Sequence, residues 1–168
     1  MGSRTKDGRS SQFHLHPEVL IPKMNSNTSL FYTCSLVEYI GRQTHNERSV
    51  VVELLGTDLD RIYKYQDVFH CEPIEKVADE FIQRAKIPVG RFDNVGSCKY
   101  DVPSYWDIGD VFSRLVEDCF AGMDDVAGIR AAYRSWIAPK ILNFNSDLFY
   151  QSREYIAECF KAGEILAA

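Results

Sequence analysis

The sequence predicts an all-α protein. The fold expected is a compact bundle of about six to seven helices, with one long ordered loop or small hairpin at 87–103. Three observations predict it. Apolar residues recur at helical spacing over most of the chain from Thr28 onward. Pro, Gly and small polar residues punctuate that pattern where helices start and stop. Alternation of the strand kind is confined to Cys98, Tyr100 and Val102.

Residues 1–26 are polar and broken up, with a short apolar patch at Val19–Ile21 before Pro22. They read as a flexible or extended N-terminal arm. Residues 27–168 read as a single helical domain, which suits a chain of 168 residues.

The helices follow in order. Leu30, Phe31, Cys34, Val37 and Gly41 mark one face of the first, and Leu36, Tyr39 and Ile40 fill another. A helix apolar on nearly all faces belongs in the middle of a bundle. A short helix from Glu47 to Leu55 is closed by Gly56. Thr57 then starts a third, capped by its own hydroxyl with Asp60, and running to Phe69 on a stripe of Leu59, Ile62 and Tyr63. Pro73 opens the fourth, where its missing N–H costs nothing. Ile74, Val77, Ala78, Phe81 and Ile82 form its apolar face.

The helical signal stops after Lys86. Residues 87–103 hold two prolines, two glycines and Asp93-Asn94. A loop of about 17 residues is longer than most, and such loops are often functional or locally ordered. Pro103 keeps Val102 extended. Ser104 and Asp107 then make an S-x-x-D cap for a helix reaching about Ala121. Gly109 is expected to let another element come close. Asp110–Arg114 and Arg114–Asp118 are i, i+4 pairs on its wet side. A sixth helix starts at Asp124, turns Val126, Ile129, Tyr133, Trp136 and Ile137 inward, and is interrupted at Pro139. A last helix covers about Ser146 to Lys161.

Composition limits function. The 19 Lys and Arg against 24 Asp and Glu leave a formal charge of −5. A protein built to hold phosphate backbones is usually basic. No apolar run approaches the length of a membrane span, and the start lacks the apolar stretch of a secretory signal. Lys6 stands where a myristoylation signal needs Ser or Thr. Five widely spaced cysteines without a C-x-x-C argue against a disulfide framework or zinc ribbon. The expected setting is cytoplasmic, with no membrane partner and no cofactor.

Few constellations suggest chemistry. Cys71 precedes the Pro73 helix start and follows His70, an arrangement that can favour a thiolate. Read plainly, it is a helix junction. His14-x-His16 is the one close histidine pair, too few ligands for a selective metal site, so no metal is expected. The corner at Gly56-Thr57 looks like a helix-turn-helix. Residues 47–80, however, carry nine acidic side chains against four basic ones and would repel phosphates. The neighbouring segment 81–100 reverses the sign, with Arg84, Lys86, Arg91 and Lys99 against Asp93. There is no P-loop, dinucleotide-binding or nucleophile-elbow motif.

The runs SLFYTCSLVEYIGRQT (29–44), ELLG (53–56) and IYKYQDVFHCEPIEKVADEFI (62–82) resemble a family of short, uncharacterised, all-helical bacterial proteins. Its members are often encoded beside proteins similar to ADP-ribosyltransferases. YDVPSYWDIGDVFSRLV (100–116) resembles an extension found in some of them. The resemblance covers about a third of the chain, mostly at core positions. It implies the helical fold and a companion role, such as an antitoxin or immunity-type protein that masks another protein. It supplies no catalytic residue.

The reading that follows is a non-enzymatic protein–protein interaction module. Its contact candidates are Arg91, Lys99, Tyr100, Tyr105 and Trp106, because Tyr, Trp and Arg dominate binding hot spots. Ser104 and Asp107 are assigned to the helix cap. A second copy of the chain is an alternative partner. One alternative is an enzyme or small-molecule binder using the 91–107 loop through Cys98, Tyr100, Tyr105 and Asp107. A second is a nucleic-acid binder using 81–100.

Overall fold

The structure, a computed structural model, describes residues 26–167. Residues 1–25 of the N-terminal arm, with its Val19–Ile21 patch and the His14/His16 pair, lie outside the described residues, and Ser26 belongs to the first helix. Nine α-helices and one 3-10 turn, with no strand, make up the described part. They are α1 (Ser26–Thr44), α2 (Arg48–Leu55), α3 (Thr57–Lys64), α4 (Gln66–Phe69), α5 (Ile74–Ala85), α6 (Tyr105–Cys119), α7 (Asp125–Arg134), α8 (Ala138–Ile141), the 3-10 turn Leu148–Tyr150 and α9 (Arg153–Ala162).

Helix α1 is the centre. Leu30, Cys34, Leu36, Val37 and Ile40 are buried on more than one of its faces, as expected of a helix apolar all round. Helices α2, α3, α4, α5, α6 and α7 all touch it, and α6 does so most extensively. Gly109 explains how close α6 comes. A Cβ there would stand 2.0 Å from Ser35 Oγ and 2.7 Å from the Ser35 backbone, so only glycine fits. Helix α6 also carries α7 and α9 on its other sides.

Several boundaries differ from the sequence reading, each for a local reason. The segment Thr57–Phe69 is two helices, because Tyr65 leaves helical geometry at φ −112°. Thr57 makes no cap; the N-cap is Gly56, whose φ of +53° is the left-handed half of backbone space where glycine alone is unstrained. The expected Asp124–Ile137 helix ends at Arg134, where Ser135 turns extended. Pro139 starts α8 rather than ending a helix, since a first-turn proline has no N–H to waste. The expected helix from Ser146 begins only at Arg153, capped by Ser152 Oγ on Tyr155 N. Arg114 pairs with Asp110 at 2.9 Å but not with Asp118, which instead joins Arg153 of α9 at 2.6 Å.

Residues 87–103 form no hairpin. They are an irregular loop held at nearly every turn. Gly90 N and Phe92 N donate to Thr44 O and His45 O at the end of α1, at 2.7 and 2.8 Å. Asp93 folds the chain back on itself by accepting from Gly96 N at 2.7 Å. Arg42 Nη2 donates to Pro103 O at 2.8 Å.

The loop's main anchor is a buried charge. Arg48 and Glu38 are both fully buried and meet through two hydrogen bonds, Nε to Oε2 at 2.8 Å and Nη2 to Oε1 at 2.9 Å. Arg48 also donates to Asn46 O at 2.8 Å and to Asn94 Oδ1 at 3.0 Å. Asn94 passes the connection on, donating to Leu142 O at 2.9 Å. One guanidinium thus joins α1, α2, the long loop and the chain after α8. Gly41 makes room for it, because a Cβ there would stand 2.3 Å from Arg48 Cδ.

Candidate functional site

The anchored loop meets the segment that follows α8, and a groove opens between them. Asn145 joins the two sides. Its Oδ1 accepts from Lys99 N at 2.8 Å, and its Nδ2 donates to Ser97 O at 3.1 Å. The Cys98 thiol turns inward and donates to Tyr100 O at 3.3 Å. The side chain of Tyr100 stands out from the loop.

The groove has a volume of about 480 Å³. Tyr100, Phe144, Phe149 and Tyr150 supply its aromatic walls, Asp101 and Asp147 its charge. Tyr150 is 84% exposed and Tyr100 70%. Phe144 is buried and meets Phe149 edge to face, with centroids 5.8 Å apart. Phe149 in turn meets Tyr150 at 6.4 Å. The outer face of the patch is therefore open while its base is fixed in the core. A smaller cleft of about 240 Å³ continues from it past Ser146 and Asp147 towards Tyr155 and Ile165.

Of the contact candidates read from the sequence, the structure brings only Tyr100 to this groove as a side chain. Lys99 is exposed beside it and contributes its backbone N–H to the clamp. Arg91 is exposed on an earlier part of the loop. Tyr105 and Trp106 are half-buried at the joint of α6 with α1. Trp106 stacks on Phe31 at 5.5 Å, and Tyr105 meets Tyr39 edge to face at 5.1 Å. Ser104 and Asp107 form a reciprocal cap. Ser104 Oγ accepts from Asp107 N at 3.0 Å, and Asp107 Oδ2 accepts from Ser104 N at 2.9 Å. Both are occupied in starting α6.

Sequence reasoning missed Phe144, Asn145, Asp147, Phe149 and Tyr150. The available signal was NFNSDLFYQS, as dense in aromatics and turn-forming residues as the loop it faces.

The other candidate sites have local explanations. Cys71 is exposed and its thiol donates to Asp67 O at 3.3 Å, while the His70 ring lies against Tyr32 at 5.6 Å. Helix α7 crosses the Gly56 corner. Arg130 donates there to Gly56 O at 2.7 Å and to Asp60 Oδ2 at 3.0 Å, which occupies the element that resembles a helix-turn-helix. Within the basic segment, Arg84 is paired with Asp58 at 2.8 Å. Among the described residues, no group of three or more His, Cys, Asp or Glu is placed to hold a metal ion. No helix among them is long and apolar enough to cross a membrane.

No family model, curated protein or solved structure matches this chain.

Proposed function

We propose that this chain is a non-enzymatic interaction protein that docks a partner protein on the aromatic groove between residues 97–101 and 143–150. The observation that carries this reading is the exposure of Tyr100 and Tyr150 on one groove. Two large aromatic side chains stand open to solvent on a base that packing and Asn145 hold rigid. Exposed aromatics cost little entropy to immobilise and bury much area, which is why they anchor interfaces. A rigid base removes the ordering cost that weakens docking on mobile loops. A masking role of the antitoxin or immunity kind is the form of partnership we favour, in line with the companion role that the resemblance of residues 29–83 implies. We place the protein in the cytoplasm, since all five cysteines are free thiols and Cys71 is exposed.

The test is a pull-down from native lysate with the wild-type chain and the Y100A/Y150A variant. Both positions are exposed, so the variant is expected to keep its fold. The reading predicts one partner recovered in stoichiometric amount by the wild type and lost by the variant. Equal recovery by both, or no stoichiometric partner, counts against it.

A second reading, a small-molecule binder at the same place, is favoured by the groove's size, which falls in the range of ligand pockets. Saturable binding of a small solute that Tyr100→Ala abolishes, with no protein partner found, would select it.

A further inference from the structure

The groove's chemistry narrows what it can hold. Its walls are π faces and edges, and its two charged residues, Asp101 and Asp147, are both acidic. None of the residues that line it is basic, while Lys99 stands exposed beside it and Lys140 lines the adjoining cleft. Asp147 is only partly satisfied, by Gln151 Nε2 at 3.0 Å. An anionic occupant would meet two carboxylates on a chain whose net charge is already −5. A purely apolar occupant would strip water from those carboxylates and give nothing back. A cation satisfies both features, because the ring quadrupoles and the carboxylates attract it together.

Behind the groove, its buried wall residue Phe144 already packs against a cation from within the chain. The Arg42 guanidinium lies over the Phe144 ring, with Cζ 5.4 Å from the centroid. The base of the groove is thus packed in the manner its open side is suited to repeat.

We propose that the groove takes an arginine side chain presented by the partner polypeptide, stacked among Tyr100, Phe149 and Tyr150 and bridged to Asp101 or Asp147. Arginine fits better than lysine. Its planar guanidinium is more weakly hydrated, stacks on aromatic faces and offers a fork of donors to a carboxylate. This assignment rests on the groove being the contact surface, and gives that surface a chemical preference.

The experiment is an NMR titration of the isotope-labelled full chain at low ionic strength. One probe is the peptide acetyl-Gly-Arg-Gly-Arg-Gly-amide. The other is the same peptide with citrulline for arginine, which keeps the planar shape and removes the charge. The arginine peptide is expected to shift the amides of 99–101 and 144–150. The citrulline peptide is expected to bind at least about tenfold more weakly. D101N and D147N are each expected to weaken the arginine peptide about two- to fivefold, as exposed ion pairs do. Y150A removes a stacking wall and is expected to weaken it more.

Equal binding of the two peptides overturns the proposal. So do shifts that map outside the groove, insensitivity to both aspartate variants, or no shift at roughly millimolar peptide. If the peptide fails in any of these ways while Y100A/Y150A still loses a stoichiometric partner, only the preference for arginine falls. If the partner too is retained by Y100A/Y150A, the docking surface falls with it.

Discussion

Replacing Arg48 by Met should be among the most damaging single changes to this protein. Arg48 is fully buried and makes four hydrogen bonds, two to Glu38 and one each to Asn46 O and Asn94 Oδ1. Met fills similar space without satisfying any of these acceptors. Breaking a buried ion pair by removing one partner typically costs about 3–5 kcal/mol. Here the upper end is moderated, because Arg42 Nε still donates to Glu38 Oε1 at 2.9 Å. The lower end is raised by two neutral acceptors left unpaired, each worth roughly 1–3 kcal/mol if dry. A net loss of about 3–4 kcal/mol follows. For a chain of this size each kcal/mol lowers Tm by about 2–4 °C, so a drop of about 6–16 °C is expected.

The assay is thermal and urea denaturation followed by far-UV circular dichroism. Amide exchange over residues 90–98 should quicken, because Asn94 loses its hold on α2. The E38L/R48M double variant removes both charges together and should lose less than the two single changes added. A Tm change below about 2 °C for R48M, or strict additivity in the double variant, would show that the Arg48–Glu38 pair does not anchor the loop.

Two further predictions concern the helix start and the buried thiol. S104A removes the acceptor for Asp107 N and should cost about 0.5–2 kcal/mol, read as a lower urea midpoint at unchanged slope. The alkaline limb of stability should fall early. Burial pushes the Cys34 thiol up to about 12 from an ordinary 9.0. Burial, then Glu72, raises Tyr32 from 10.0 to about 12. The folded state therefore holds protons that the unfolded chain releases, so this stability is complete below about pH 9 and is lost as pH rises towards about 12. Denaturation midpoints measured across that window should decline, and Cys34→Ala should flatten the start of the decline. At pH 8 a thiol reagent should label Cys71 at once and reach buried Cys34 and Cys159 only on unfolding.

What the sequence made legible was set by the range of the rule involved. The Ser104–Asp107 cap spans four residues, and its bonds follow from local geometry. The central place of α1 follows from apolar residues on all its faces, and the close approach at Gly109 from a small residue on a buried stripe. Arg48 shows where such rules stop. A lone arginine at the start of a short helix reads as a solvated charge, and only Glu38, ten residues earlier, and Asn94, 46 residues later, make it a core residue. The groove lies at the same limit. Its two sides meet through Lys99 and Asn145, 46 residues apart, and no periodicity links them. Tyr105 and Trp106 stood out in the sequence because aromatic density is visible there. Whether such residues face solvent or a neighbouring helix is decided by packing, and Phe31 and Tyr39 decide it here.

The proposed partner docks on Tyr100 and Tyr150. Site-specific photocrosslinking tests this docking most directly, with a benzophenone side chain installed in turn at positions 100, 150 and 68. Position 68 is an exposed control on α4, where Val68 is 61% exposed. Positions 100 and 150 are expected to give one discrete crosslinked species of one-to-one stoichiometry, and position 68 none. Crosslinking from 68 alone, or the same yield from all three positions, would contradict it.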